Sequence, residues 1–163
     1  MVRRAAVAVV LRDVGELQVL LVKRKERLGD PWSGQIALPG GMQKGSERLL
    51  QTAIRETREE TGISLSINEV LGTLEPTYPK NAPGIEVIPF IFFLSKEMEL
   101  RPGDEIEFCR WIPLAKILSN AAEIKLPGKG RVSAFIFENM VIWGMTHGIL
   151  LDLWRFLEEL GLN

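Results

Sequence analysis

The feature that most limits how this chain folds is residues 46–61, a stretch with neither glycine nor proline, closed by Gly62. Ser46 is the expected N-cap, and Gly62 stands where a left-handed residue ends a helix. Runs rich in β-branched and apolar residues lie on both sides. Residues 4–11 and 17–22 read as strands of a hairpin joined by the polar segment 12–16. A charged, turn-rich loop over 23–35 follows, then a short strand over 36–38, stopped by Pro39-Gly40-Gly41. Past the helix, 70–74 and 85–94 read as strands separated by a loop with three prolines. Residues 107–112 are a further strand, 114–118 a helical turn and 119–132 a loop. A closing helix is expected from about Met140 to Leu160, where Ile142, Met145, Ile149, Leu153, Phe156 and Leu160 recur at helical spacing. One internal helix among strands buries its apolar stripe only by packing on a sheet. The expected class is therefore α+β, a mixed-sheet sandwich with a C-terminal helix.

Composition narrows the function. The 163 residues are enough for one domain with a sizeable core. Twenty basic residues against 21 acidic ones leave a net charge of −1, which argues against a nucleic-acid binder relying on a broad positive field. Cys109 is the only cysteine, so an intramolecular disulfide and a thiolate metal cluster are both excluded, as suits a reducing cytoplasm. The apolar start runs directly into Arg12-Asp13, so a first strand is expected rather than a signal peptide. The longest apolar run, 85–94, is broken by Glu86 and Pro89 and is too short to cross a bilayer. No membrane association is expected.

On the internal helix, Leu49, Leu50, Ala53 and Thr57 form a packing stripe within an arc of about 100°. Glu56, Glu59 and Glu60 fill a neighbouring arc, with Arg55 and Arg58 as the nearby cations. Like charges at this spacing repel, and a hard divalent cation such as Mg²⁺ or Mn²⁺ relieves them. A solvated acidic face is the plain alternative for a bare Glu-Glu pair. The wider pattern is far longer. Gly41, five residues, Glu47, seven residues, Arg55-Glu56, one aliphatic position, one residue, Glu59-Glu60, one residue, then Gly62-Ile63 resembles the Nudix box. Only Thr57 departs, standing where an aliphatic is usual.

The resemblance implies a Nudix-like α/β/α sandwich with a catalytic loop–helix–loop, hydrolysing a nucleoside diphosphate linked to another moiety with Mg²⁺ or Mn²⁺. It implies Glu56, Glu59 and Glu60 as metal ligands with the Gly41 backbone close by, and Glu47 and Arg55 as their orienting partners. The general base is a box glutamate, Glu56, or a carboxylate outside the box, for which Glu105 is the candidate. The rest of the chain resembles the coenzyme A diphosphatase branch: residues 20–24 with 34–41, 71–77 with 87–90, 104–106 with 111–114, and 142–146. That likeness implies substrate contacts from Arg24, Arg27 and Gln35. Where the branch carries Arg and His ahead of Gly34-Gln35, this chain has Asp30 and Trp32. ADP-ribose, NADH and dinucleotide polyphosphates are therefore alternative substrates, and a nucleotide-binding module without hydrolysis is the alternative of another class. Trp32 and Tyr78 lie in loops expected at the cleft, either stacking on an adenine or packing over loop backbone. Trp111, Trp143 and Trp154 are assigned to the core or to a homodimer contact. His147 is read as a helix residue, Cys109 as a small buried hydrophobe, and Lys125, Lys129 and Arg131 as a solvated basic loop.

Overall fold

The computed structural model describes residues 2–161. In chain order the first elements are β1 (Arg3–Asp13), β2 (Leu17–Arg24), β3 (Ile36–Ala37), β4 (Gly40–Met42) and α1 (Leu49–Thr61). Then come β5 (Val70–Thr73), β6 (Ile85–Phe93), β7 (Ile106–Pro113) and α2 (Leu114–Leu118). The chain closes with β8 (Ala121–Leu126), β9 (Gly130–Phe137), β10 (Met140–Trp143) and α3 (Gly144–Leu160).

β1 is the spine of the main sheet. Every residue from Ala5 to Leu11 is buried, because both faces of the strand are covered. Ala5, Val7, Val9 and Leu11 enter a core shared with Leu150 and Leu153 of α3, whereas Ala6, Ala8 and Val10 enter a second core shared with Ala53 of α1. One edge of β1 pairs with β6 in parallel. Its other edge is divided: β2 pairs antiparallel at the Leu11 end, and β4 pairs antiparallel at Ala5, Ala6 and Val7. β2 continues the sheet to β3 and β7, and β5 closes it beyond β6. The sheet is mixed and lies between α1 on one face and α2, α3 and a small β8–β9–β10 sheet on the other. This is the expected α/β/α sandwich. Among the described residues, no helix is long and apolar enough to cross a membrane.

Three local expectations need correction. Residues 119–132 are not a loop. β8 and β9 form a regular hairpin from Ala121↔Phe135 to Leu126↔Gly130, so Lys125 and Arg131 are strand residues and Lys129 lies in its turn. The alternation that marks such a hairpin is weak here, because β8 has no fully buried position. The last helix begins at Gly144, and Met140–Trp143 is a strand paired with β9, so Ile142 is buried from a sheet. α1 begins at Leu49 with Arg48 as its N-cap, not Ser46. Glu47 is held outside the helix because its carboxylate accepts from Lys44 N–H and the Thr52 hydroxyl. The packing stripe holds at Ala53 and Thr57, while Leu49 and Leu50 are half-buried against the second core. Thr57 fits among apolar neighbours because its hydroxyl donates to the Ala53 carbonyl at 2.7 Å.

Candidate active site

Arg55 is the hub of the loop–helix–loop. Its Nε and Nη2 donate to the two carboxylate oxygens of Glu47 at 3.1 and 2.7 Å, a fork-to-fork pairing. Nη1 donates to Glu56 Oε1 at 2.7 Å and to both oxygens of Glu59 at 3.3 Å. Nη2 also reaches the Met42 carbonyl, tying the helix to β4. The guanidinium holds the Glu47 carboxyl well below its usual range, at about 2, against the opposing effect of burial. Glu47, in turn chiefly, pushes Arg55 further up. Both groups stay charged under ordinary conditions, and the expected orienting role of Glu47 and Arg55 has a geometric basis.

Glu60 is the unusual group. Its side chain is only 7% exposed. Its Oε1 accepts from the Gly40 N–H at 3.3 Å, and its Oε2 lies 3.7 Å from Arg24 Nη1. Burial, followed by the negative charge of neighbouring Glu56, raises its carboxyl to about 9, with Arg24 opposing. Glu56 is paired with Arg55, but buried Glu60 has only Arg24 at 3.7 Å, and two carboxylates this close suit a hard divalent ion between them. The two glycines make this approach possible. A Cβ on Gly41 would sit 2.6 Å from the Glu56 carboxyl carbon, and a Cβ on Gly40 would sit 2.4 Å from the Ala6 carbonyl oxygen.

Glu56, Glu60, Gly41, Arg24, Trp32 and Glu105 line one cleft of about 290 Å³. Glu105 reaches it from the segment before β7, which is pinned to the end of α1: Arg101 N–H donates to the Thr61 carbonyl and Gly103 N–H to that of Glu60. A Cβ on Gly103 would overlap the Glu59 carbonyl at 2.2 Å, so glycine is required for this docking. Neither Gly103 nor Lys44, which also lines the cleft, was expected at the site. The Pro102-Gly103 turn was the available signal for the first. Asp30 is the other addition. Its Oδ2 accepts from Arg24 Nε and Nη2 at 3.0 and 2.9 Å, and its Oδ1 accepts from the Trp32 N–H. Asp30 thus aims a guanidinium along the cleft wall.

The remaining candidates fall elsewhere. Glu59 is half-exposed, is drawn to Arg55, and lines an adjoining depression with Glu47. Consequently no three acidic, histidine or cysteine side chains among the described residues stand as a ready-made cage. Arg27 pairs with Glu105 at the rim. Gln35 and Tyr78 line a neighbouring groove that also contains Trp32. Gly62 adopts φ 79° and caps α1, a structural role. His147 is half-buried beside the Phe135 ring, and burial lowers its pKa. Cys109 is half-buried against the second core, and burial raises its thiol.

The comparisons with known proteins bear on the family and the fold. The NUDIX domain family model matches residues 1–132. A Yersinia pestis (strain Pestoides F) protein named as the uncharacterized Nudix hydrolase NudL is 33% identical over 155 residues, covering 91% of this chain and 76% of its own. A crystal structure of a MutT/nudix family protein from Enterococcus faecalis superposes with a TM-score of 0.73 at 21% identity, covering 97% of this chain and 63% of that one. The NUDIX domain of Shewanella oneidensis NrtR, cocrystallised with ADP ribose, gives a TM-score of 0.68 at 19% identity and covers 94% and 87%. At such identities these two structures speak to the fold alone. The chain belongs to the Nudix hydrolase family. It is an enzyme of that family, a pyrophosphohydrolase of the kind that uses divalent metals.

Proposed function

We propose that residues 1–163 act as one domain that hydrolyses the diphosphate bond of coenzyme A or a close relative in a reducing cytoplasm. The observation that most supports a diphosphate substrate is the close pair of buried Glu60 and half-buried Glu56, set against the Gly40-Gly41 turn with Glu105 in the same cleft. Glu56 and Glu60 would hold Mg²⁺ or Mn²⁺ beside the Gly41 backbone, and Glu59 would join them by leaving Arg55. When bound, the ion neutralises diphosphate oxygens and stabilises the charge that develops in the transition state. Arg55 and Glu47 hold Glu56 in place. Arg24, aimed by Asp30, faces the diphosphate. Water attacks one phosphorus, the bridging P–O bond breaks, and the water proton passes to Glu105. Two phosphate monoesters leave.

The coenzyme A assignment draws on the likeness of residues 20–24, 34–41, 71–77, 87–90, 104–106, 111–114 and 142–146 to that branch. A second reading, an ADP-ribose or NADH pyrophosphatase, is favoured by Asp30 and Trp32, which stand where that branch carries Arg and His. A panel of coenzyme A, ADP-ribose, NADH and a dinucleotide polyphosphate, each with Mg²⁺ and Mn²⁺, separates the two. Coenzyme A is expected to show the highest kcat/KM. Cleavage of ADP-ribose at far higher efficiency would overturn that choice in favour of the second reading.

A further inference from the structure

Beside the catalytic cleft lies a second groove of about 800 Å³, and the two share Trp32 and Met145 as common lining. Their charges are opposite. The cleft is lined by Asp30, Glu56, Glu60 and Glu105 against Arg24 and Lys44. The groove is lined by Lys80 and Lys129 and, among the described residues, by no aspartate or glutamate. Lys80 comes from the proline-rich segment between β5 and β6, and Lys129 from the β8–β9 turn. Neither lysine is in an ion pair among the described residues. Glu86, the acid nearest to Tyr78, is already engaged by the Tyr78 hydroxyl at 2.7 Å and by Arg4 at 3.2 Å.

The walls are also held. Lys129 Nζ lies 4.8 Å from the centroid of the Trp143 ring, a contact that places the ammonium against the groove lining. Asn81 Nδ2 donates to the Pro31 carbonyl at 2.7 Å and ties the Lys80 segment to the loop carrying Trp32. His147 also lines the groove, but burial lowers its pKa, so it adds no positive charge near neutral pH. Two cations lining a concave, acid-free surface give it a positive potential, which favours an anion there. The acidic cleft next to it favours a cation instead. A ligand spanning both therefore presents its metal-chelating part to the cleft and a separate negative group to the groove.

We propose that this groove binds a phosphate monoester that the substrate carries apart from its scissile diphosphate, with Lys80 and Lys129 as the recognising side chains. This deepens the diphosphatase reading and rests on it for where the diphosphate lies. It also places the recognition of a peripheral phosphate on β8–β9 and the β5–β6 segment, rather than on the loop ahead of Gly34-Gln35. The test is calorimetric binding of AMP, adenosine 3′,5′-bisphosphate and adenosine 2′,5′-bisphosphate, which requires no turnover. The wild type is expected to bind one bisphosphate at least about tenfold more tightly than AMP, the scale of a charge-assisted contact. Lys80→Ala and Lys129→Ala should each reduce that preference, the double variant should abolish it, and Lys129→Arg should retain it. Equal binding of all three nucleotides, or a preference that survives in the double variant, would overturn the inference. The underlying reading fails by a separate measure, the absence of product from coenzyme A and ADP-ribose with either metal.

Discussion

Replacing Arg55 with alanine strands Glu47 and Glu56, whose side chains are only 18% and 14% exposed. The magnitude follows from the Glu47 carboxyl, which falls from 4.5 to about 2 in the folded protein, chiefly through its hydrogen bonds to Arg55. Taken at face value that depression is worth about 3 kcal/mol. Solvent at the rim of the site screens it, so about 1–2 kcal/mol is the working expectation for this pair. The contact with Glu56 adds about 1 kcal/mol, giving a total loss of about 2–3 kcal/mol at pH 7. A depressed carboxylate contributes stability that is present above its unfolded pKa and lost as pH falls toward the folded value. The wild-type advantage should accordingly shrink between about pH 4.5 and pH 2. Urea denaturation of wild type, Arg55→Ala and Arg55→Lys at pH 7 and pH 3 measures this. Lysine keeps the charge but not the fork, so it should fall between the other two. An alanine variant within about 0.5 kcal/mol of wild type at pH 7, or a difference unchanged at pH 3, refutes the reasoning.

The same geometry sets further outcomes. Because Glu60 must lose its proton to bind a cation and its carboxyl sits near 9, Mn²⁺ affinity should rise by up to about tenfold per pH unit between pH 6 and 8; Glu60→Gln, titrated alongside, should show weak and pH-independent binding. Gly41→Ala pushes on a Glu56 carboxylate already held by Arg55 and should cut turnover more than tenfold while unfolding free energy changes by less than about 1 kcal/mol; Gly40→Ala collides with β1 backbone and should cost several kcal/mol in denaturant titration. Glu105→Gln should lower kcat by about 10²–10⁴ with KM little changed, and a kcat within threefold of wild type would remove it as the base. Thr57→Val, which restores an aliphatic to the box, should change stability by less than about 1 kcal/mol and leave Mn²⁺ affinity intact, since the Ala53 carbonyl keeps its backbone donor.

The α1 site was legible because its residues are local in sequence. Gly41, Glu47, Arg55, Glu56 and Glu60 lie within a single loop and helix, so their spacing in sequence already states their arrangement in space. What could not be read was how that unit meets the rest of the chain. Glu59 shares an arc with Glu56 and Glu60 on a helical projection. Whether it enters the cleft is decided by competition for one guanidinium, and Arg55 draws it toward solvent. The β8–β9 hairpin escaped for another reason. β8 is only partly buried at its inward positions, and in β9 neighbouring Ala134 and Phe135 are both buried while Ile136 is exposed, so the period-two signal is broken.

Asp30 shows how a local departure from a family pattern can be compensated in three dimensions. An acid in place of a basic residue ahead of Gly34-Gln35 removes a positive charge from the loop, which by sequence weakens anion binding there. In the structure that acid is bonded to Arg24 and orients its guanidinium toward Glu60, across the cleft wall. The loop therefore still presents one positive group to a diphosphate, supplied by β2 and aimed by the residue that appeared to break the pattern. Arg27, a further cation of the same loop, is engaged by Glu105 at the rim. In this chain the available pair, Lys80 and Lys129, lies across Trp32 in the adjoining groove. Substrate choice is thereby moved from the segment preceding the box to a hairpin and loop far from it in sequence, which is why the reaction could be read from the box and the substrate could not.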